Sequence, residues 1–394
     1  MNTNDAAYKK DNAYQEYTDK YFLRSKEILE KKNINPIVRY QVFARKDIDA
    51  IKGITEAVEY IHAIAGDRVS ISAAREGQHY HADMPVLKLE GHVQDLIDLE
   101  TIYLGILSGR NTPNLDLGIV REKARAIISA AQGKPVFYFG ARHFHPSYDA
   151  DIGRICIEEG FAGASTDIGA AYSGNKGVGT VPHANILAFD AYMESAGIQG
   201  NPTVEAMKAF DEIIDPKVPR VMLIDTYNRE IADSLATARA VKRLSGVRID
   251  TCGENYSQGS DLELQLDIPE KYLKGKGVTV AAVWALRRNL DANSYDNLSI
   301  TVSSGFNAGK TCAFMIADNE YHKKYGRSLF DSIGTGSIAD PVMFTSDIIA
   351  YYDAHLRIWL PHGKVGRKEQ HAPLNIVQQG TFIEQTTAAY SEGY

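Results

Sequence analysis

Apolar positions in residues 21–32 (YFLRSKEILEKK) gather on one helical face, with Phe22, Ile28 and Leu29 together and charges elsewhere. That is the 3.6-residue period of an amphipathic helix. Residues 68–74 (RVSISAA) and 85–91 (PVLKLEG) read as short strands, the second alternating apolar and polar positions. Residues 94–109 (QDLIDLETIYLGILSG) predict a long helix stopped at Gly109, 111–114 a loop, and 117–131 another helix. The pattern then changes. Six short apolar runs, rich in β-branched residues, are each followed by a turn and a longer helical stretch: 135–141, 161–166, 220–226, 246–253, 298–305 and 328–336. Several are apolar on both faces and end in Gly, Asp, Thr or Ser, as parallel strands covered by helices do. No Gly-x-Gly-x-x-Gly follows the first, so an irregular, closed α/β barrel is expected rather than a doubly wound sheet. The expected organisation is an N-terminal α+β domain (1–132), joined by the Tyr- and charge-rich tail (345–394), and an α/β barrel domain (133–344).

The composition adds exclusions. The 394 residues are 44% hydrophobic and 24% charged, as in ordinary globular proteins. Lys and Arg number 43 against 50 Asp and Glu, and the net charge of −7 argues against a nucleic-acid partner. Cys156, Cys252 and Cys312 are far apart, which excludes a disulfide framework and a cysteine-rich zinc site and makes a reducing compartment the default. No run reaches the roughly 18 to 20 apolar residues of a membrane span. The polar N-terminus has no apolar signal core, so a soluble cytoplasmic protein is expected.

In barrels of this kind, polar residues just past the strand ends build the site. Ser303-Ser304-Gly305 and Gly334-Thr335-Gly336-Ser337 end the last two expected strands. Small residues with exposed amides there suit a phosphate group; tight turns are the plainer reading. Asp225 and Asp250 end two other strands. Each suits ribose hydroxyls or water-mediated Mg2+, or else a helix cap. Arg248 shares a strand face with Asp250. Arg142, after the first strand, suits bidentate grip of a planar carboxylate, or a structural ion pair. Phe139 suits stacking on a ring, or the core. His79 and His81, like His143 and His145, have the i, i+2 spacing that presents two imidazoles on one strand face. No acidic third ligand stands near either pair, so no protein metal site is expected; His145 suits hydrogen bonding or anion contact beside Arg142. His183 reads as a satisfied loop histidine.

Taken in order, these segments resemble the nicotinate phosphoribosyltransferase family, above all its shorter archaeal-type members. The resemblance runs from Tyr17 to about Arg367, through TDKYFLRSKEIL, LETIYLGILSG, FYFGARHFHP, GVGTVPHA, RVMLIDTY, VRIDT, ITVSSGF and the IGTGS turn. It implies the type II phosphoribosyltransferase fold and a homodimer or larger homo-oligomer with shared active sites. It implies transfer of phosphoribose from 5-phosphoribosyl 1-pyrophosphate (PRPP) to nicotinate, with Mg2+, coupled to ATP through a phosphohistidine. By position it implies that Phe139 and Tyr21, the latter from across the dimer, sandwich the pyridine ring and that Arg142 holds its carboxylate. Ser165 marks the position where nicotinamide users carry Asp, and Thr180 joins the substrate contacts. His183 is the phosphorylated residue, and Arg248 and Asp250 face PRPP. Ser303, Ser304, Gly305, Gly334, Thr335 and Gly336 cradle phosphate. The alternatives are a transferase for nicotinamide or another pyridine, or a silent nucleotide-binding paralogue. Two departures stand out. Asp167 lies two residues past Ser165, and CGENYSQGS (252–260) replaces the family's Ser-Ser-Arg-Arg-Gly-Asn, with two cations fewer.

Overall fold

A computed structural model describes Tyr8 and residues 13–382. After a single helical turn, Tyr14–Tyr17, the helix Lys20–Lys31 buries Tyr21, Phe22, Ser25, Ile28 and Leu29 on its apolar face. Strands β1 (Ile37–Ala44), β2 (Val69–Ala73) and β3 (Pro85–His92) follow, with the helix Ile54–Ala65 between the first two. In β3 the alternation sends Leu87 and Leu89 into the core. On its other face Glu90 meets its cross-strand neighbour Arg39 at 2.6 Å, the pairing that pins register in a half-solvated sheet. The helix expected over 94–109 is broken into Val93–Leu96 and Glu100–Asn111. At the break the fully buried Asp98 accepts from the Tyr14 hydroxyl at 2.8 Å and the Lys26 ammonium at 3.0 Å. Local periodicity carries no sign of those two distant donors.

All six apolar runs become strands: β4 (Val136–Tyr138), β5 (Gly163–Ala164), β6 (Val221–Leu223), β7 (Gly246–Ile249), β8 (Ser299–Val302) and β9 (Ser332–Thr335). They form one all-parallel sheet in the order β5-β4-β9-β8-β7-β6. Its two edge strands, β5 and β6, are bridged by a loop. The Val178 N–H donates to the Ala164 carbonyl at 2.8 Å, and the Thr180 hydroxyl donates to the Val221 carbonyl. The chain then returns to the first sheet. β10 (Phe344–Asp353) pairs antiparallel with β1, and β11 (Ile358–Pro361) and β12 (Asn375–Gln378) complete the order β11-β10-β1-β3-β2-β12. Residues some 300 positions apart in sequence thus share one ladder, which carries the tail back to the ends of the parallel strands. The expected tail, 345–394, is described as far as residue 382. No helix among the described residues is long and apolar enough to cross a membrane.

Candidate active site

A cavity of about 680 Å³ opens where the ends of β4, β7, β8 and β9 meet Tyr21, Glu100 and the returning tail, within the usual size of small-ligand sites. Its wall carries eight Arg and Lys side chains against four carboxylates, in a chain of net charge −7. Such local excess concentrates anions.

Aromatic rings define one end. Arg248 Cζ lies 5.8 Å from the Tyr21 ring centroid and 5.9 Å from that of Phe139, so a planar cation stands between two rings. Arg142 Cζ lies 5.7 Å from the same Tyr21 ring. Its side chain is 27% exposed, and its Nη1 donates to Glu100 Oε1 at 3.3 Å. Tyr21 reaches this cavity within its own chain. The crossing between subunits that the resemblance implies is therefore not needed to bring its ring to Arg142. Gly334 makes room for Phe139: a Cβ there would lie 2.3 Å from the ring. Burial, with the Arg142 charge, pushes His143 down to about 4, so it is neutral beside Arg142 at physiological pH.

The other end is built from two linked turns. Ser304 (φ 77°) and Gly305 (φ 69°) both hold the left-handed conformation, which costs a serine about 1 to 3 kcal/mol and is typical of working sites. Their N–H groups donate to no described residue. The Thr335 hydroxyl donates to the Phe306 carbonyl at 2.7 Å and accepts from the Ser337 N–H at 3.0 Å, clamping one turn to the other. The Ser303 hydroxyl donates to Asp250 Oδ1 at 2.7 Å. Lys310, missed in the sequence, donates to the Ser304 carbonyl at 2.8 Å. Burial pushes its pKa down to about 8, against the pull of Asp250. It returns a cation to the region where 252–260 lacks two. Arg45, Lys364 and Arg367, also missed, line the same wall. The one available signal was the basic GKVGRKEQ stretch, since only tertiary structure brings it here.

His183 sits at the start of the helix His183–Ser195. Its Nε2 accepts from Lys364 Nζ at 2.9 Å, which leaves the proton on Nδ1 to donate to the Thr226 hydroxyl, 2.9 Å away. Burial, reinforced by the Lys364 charge, holds His183 well below its ordinary pKa, so it is neutral. Lys364 also meets Asp225 Oδ2 at 2.5 Å. Burial opposes its charge, yet Asp225 holds its pKa above the ordinary value.

Several expectations need correction. Asp225 is fully buried and ion-paired, not an open ligand for ribose or metal. The Thr180 hydroxyl is occupied at the sheet edge, and Thr180 does not line the cavity. Ser165 is also off the wall. Its carbonyl accepts from the Lys20 N–H at 2.8 Å and its buried hydroxyl has no partner. Asp167 points away from the cavity. Burial works against its charge, but Lys20 at 2.7 Å and the Gly177 N–H at 2.8 Å outweigh it and hold its pKa low. Of the two readings of His145, hydrogen bonding holds: it is buried between Glu56 (3.2 Å) and Ser147 (2.8 Å) and does not line the cavity. Neither His-x-His pair joins a metal-binding group among the described residues. The other expected residues do converge: Tyr21, Phe139, Arg142, His183, Arg248, Asp250, Ser303, Ser304, Gly305, Gly334, Thr335 and Gly336 all line the one cavity.

A family model described as quinolinate phosphoribosyl transferase, N-terminal domain, matches residues 19–109. A nicotinate phosphoribosyltransferase of Mycobacterium tuberculosis is 25% identical over 364 residues, covering 89% of this chain and 67% of its own. Among solved structures, a nicotinate phosphoribosyltransferase from Vibrio cholerae superposes with a TM-score of 0.64 at 14% identity, covering 96% of this chain and 93% of its own. One from Porphyromonas gingivalis gives 0.62 at 13%, covering 96% and 98%. At such identities the two structures show the fold, which is that of the type II phosphoribosyltransferases. The ordered motifs from Tyr17 to about Arg367, the N-terminal domain match and the mycobacterial relative point the same way: over most of its length the chain is similar to the nicotinate phosphoribosyltransferases, and it shares their fold.

Proposed function

We propose that this protein joins nicotinate to PRPP, forming nicotinate mononucleotide and pyrophosphate for NAD salvage, and that it works as a homo-oligomer. One observation carries the reading. A single cavity holds Arg142 and the Tyr21 and Phe139 rings at one end and the Ser303–Gly305 turn with Lys310 at the other. The aromatic end suits a flat acidic heterocycle, and the turn suits a sugar phosphate.

The chemistry follows from that layout. The C1–oxygen bond of PRPP breaks with its electron pair leaving on pyrophosphate, and the C1–nitrogen bond forms from the ring lone pair. The pyridine nitrogen is already unprotonated at neutral pH, so no general base is required. Tyr21, Phe139 and Arg142 aim that nitrogen at C1, and positioning of this kind supplies much of the acceleration. Arg248, Lys310 and neighbouring cations stabilise the leaving pyrophosphate. Asp250, one open carboxylate beside the Ser303 hydroxyl, is the residue that would hold a Mg2+, a cation that needs only one or two protein carboxylates. The metal would add charge stabilisation there.

His183, neutral with Lys364 on its Nε2, is the residue that takes the phosphoryl group from ATP in this reading. His183→Ala is expected to abolish ATP stimulation and radiolabelling from γ-labelled ATP while slow transfer remains; unchanged stimulation would refute the role. Gly334→Ala is expected to push the Phe139 ring aside and raise KM for the pyridine severalfold. The cost in stability should be about 1 to 3 kcal/mol, as for other overpacked sites. Steady-state kinetics with each substrate varied in turn checks both directions.

A further inference from the structure

The wall that presents Arg142 also presents an acid that the transfer does not use. Glu100 opens the helix Glu100–Asn111, is 7% exposed, and lies 3.3 Å from Arg142. The charged and titratable groups facing it come from four other elements: Arg142 after β4, Asp19 and Tyr21 around the start of the helix Lys20–Lys31, Asp347 from β10, and Tyr40 from β1. Tyr103 faces it from its own helix. Asp347 has its own cation, Arg367 at 2.8 Å, and Asp19 accepts from the Thr101 hydroxyl at 3.1 Å.

An ionised Glu100 competes with an incoming carboxylate for the Arg142 guanidinium, and in a buried site two carboxylates this close disfavour each other's charge. We propose that Glu100 sets the pyridine specificity by its own charge: the cavity takes an acidic pyridine when Glu100 is neutral, so that where Glu100 is ionised, binding that ligand draws one proton from solvent onto its carboxyl. This rests on the nicotinate reading above. Neutral Glu100 frees Arg142 and offers an O–H to the ligand carboxylate. Ionised Glu100 keeps Arg142 and accepts from the N–H of an amide, so the uncharged amide gains at high pH. Burial, with Asp347 and Asp19, pushes Glu100 up to about 8 against the opposing effect of Arg142, so the neutral form prevails at physiological pH.

Calorimetric titration of nicotinate into the intact protein, in two buffers of different ionisation enthalpy, counts the protons. With Glu100 at about 8, uptake should be close to zero near pH 6, about half a proton near pH 8 and close to one near pH 9. Affinity should fall roughly tenfold per unit above about pH 8. Glu100→Gln should bind nicotinate without uptake and with flat affinity across that range, and nicotinamide should bind the wild type without uptake. Nicotinate binding near pH 9 with no proton taken up, or the same uptake in Glu100→Gln, overturns the proposal and leaves the transferase reading intact. Failure of nicotinate to bind near pH 6 overturns both.

Discussion

Arg142→Ala is expected to raise KM for nicotinate by about ten- to a hundredfold, because a charge-assisted contact is worth about 1.5 to 3 kcal/mol. KM for PRPP should move far less, since Arg142 stands at the aromatic end of the cavity, apart from the Ser303–Gly305 cradle. Arg142→Lys should fall between, keeping the charge and losing the planar fork. The fold should tolerate the change: the Glu100 left behind, already pushed up to about 8 by burial, simply stays neutral. Initial-rate kinetics with each substrate varied separately tells the outcomes apart. An equal rise in both KM values would remove Arg142 as the carboxylate clamp.

The second large effect is on stability. Lys364→Met strands Asp225, which is fully buried and loses its partner at 2.5 Å. Removing one member of a buried pair typically costs about 3 to 5 kcal/mol. Adding Asp225→Asn should recover part of the loss. Urea unfolding of the two variants reads both expectations. A single variant with an unchanged midpoint would mean that the pair does not hold the tail to the parallel-strand ends.

That pair also shows what the sequence could and could not reveal. The six parallel strands were legible because both faces of each are covered, leaving short apolar runs ended by turn residues. β1, IVRYQVFA, escaped the reading: seven of its eight residues are buried, and its neighbours in the sheet include β10, far along the chain. Arg142 and Asp250 were legible because they follow strand ends, and Arg248 because it shares a strand face with Asp250. Lys310, Lys364 and Arg367 were not, since helix and tail residues reach a site only through tertiary structure. Asp225 and Asp250 look alike in LIDTY and RIDTC. One became half of a buried ion pair and the other a wall of the cavity, and what decided it was a lysine 139 positions away.

The most direct measurement is pyrophosphate release from PRPP by the purified protein, with nicotinate or nicotinamide as the acceptor. The account predicts release that depends on nicotinate, is accompanied by nicotinate mononucleotide, and is weak with nicotinamide near neutral pH. No release with either pyridine, or equal release with both, would contradict it.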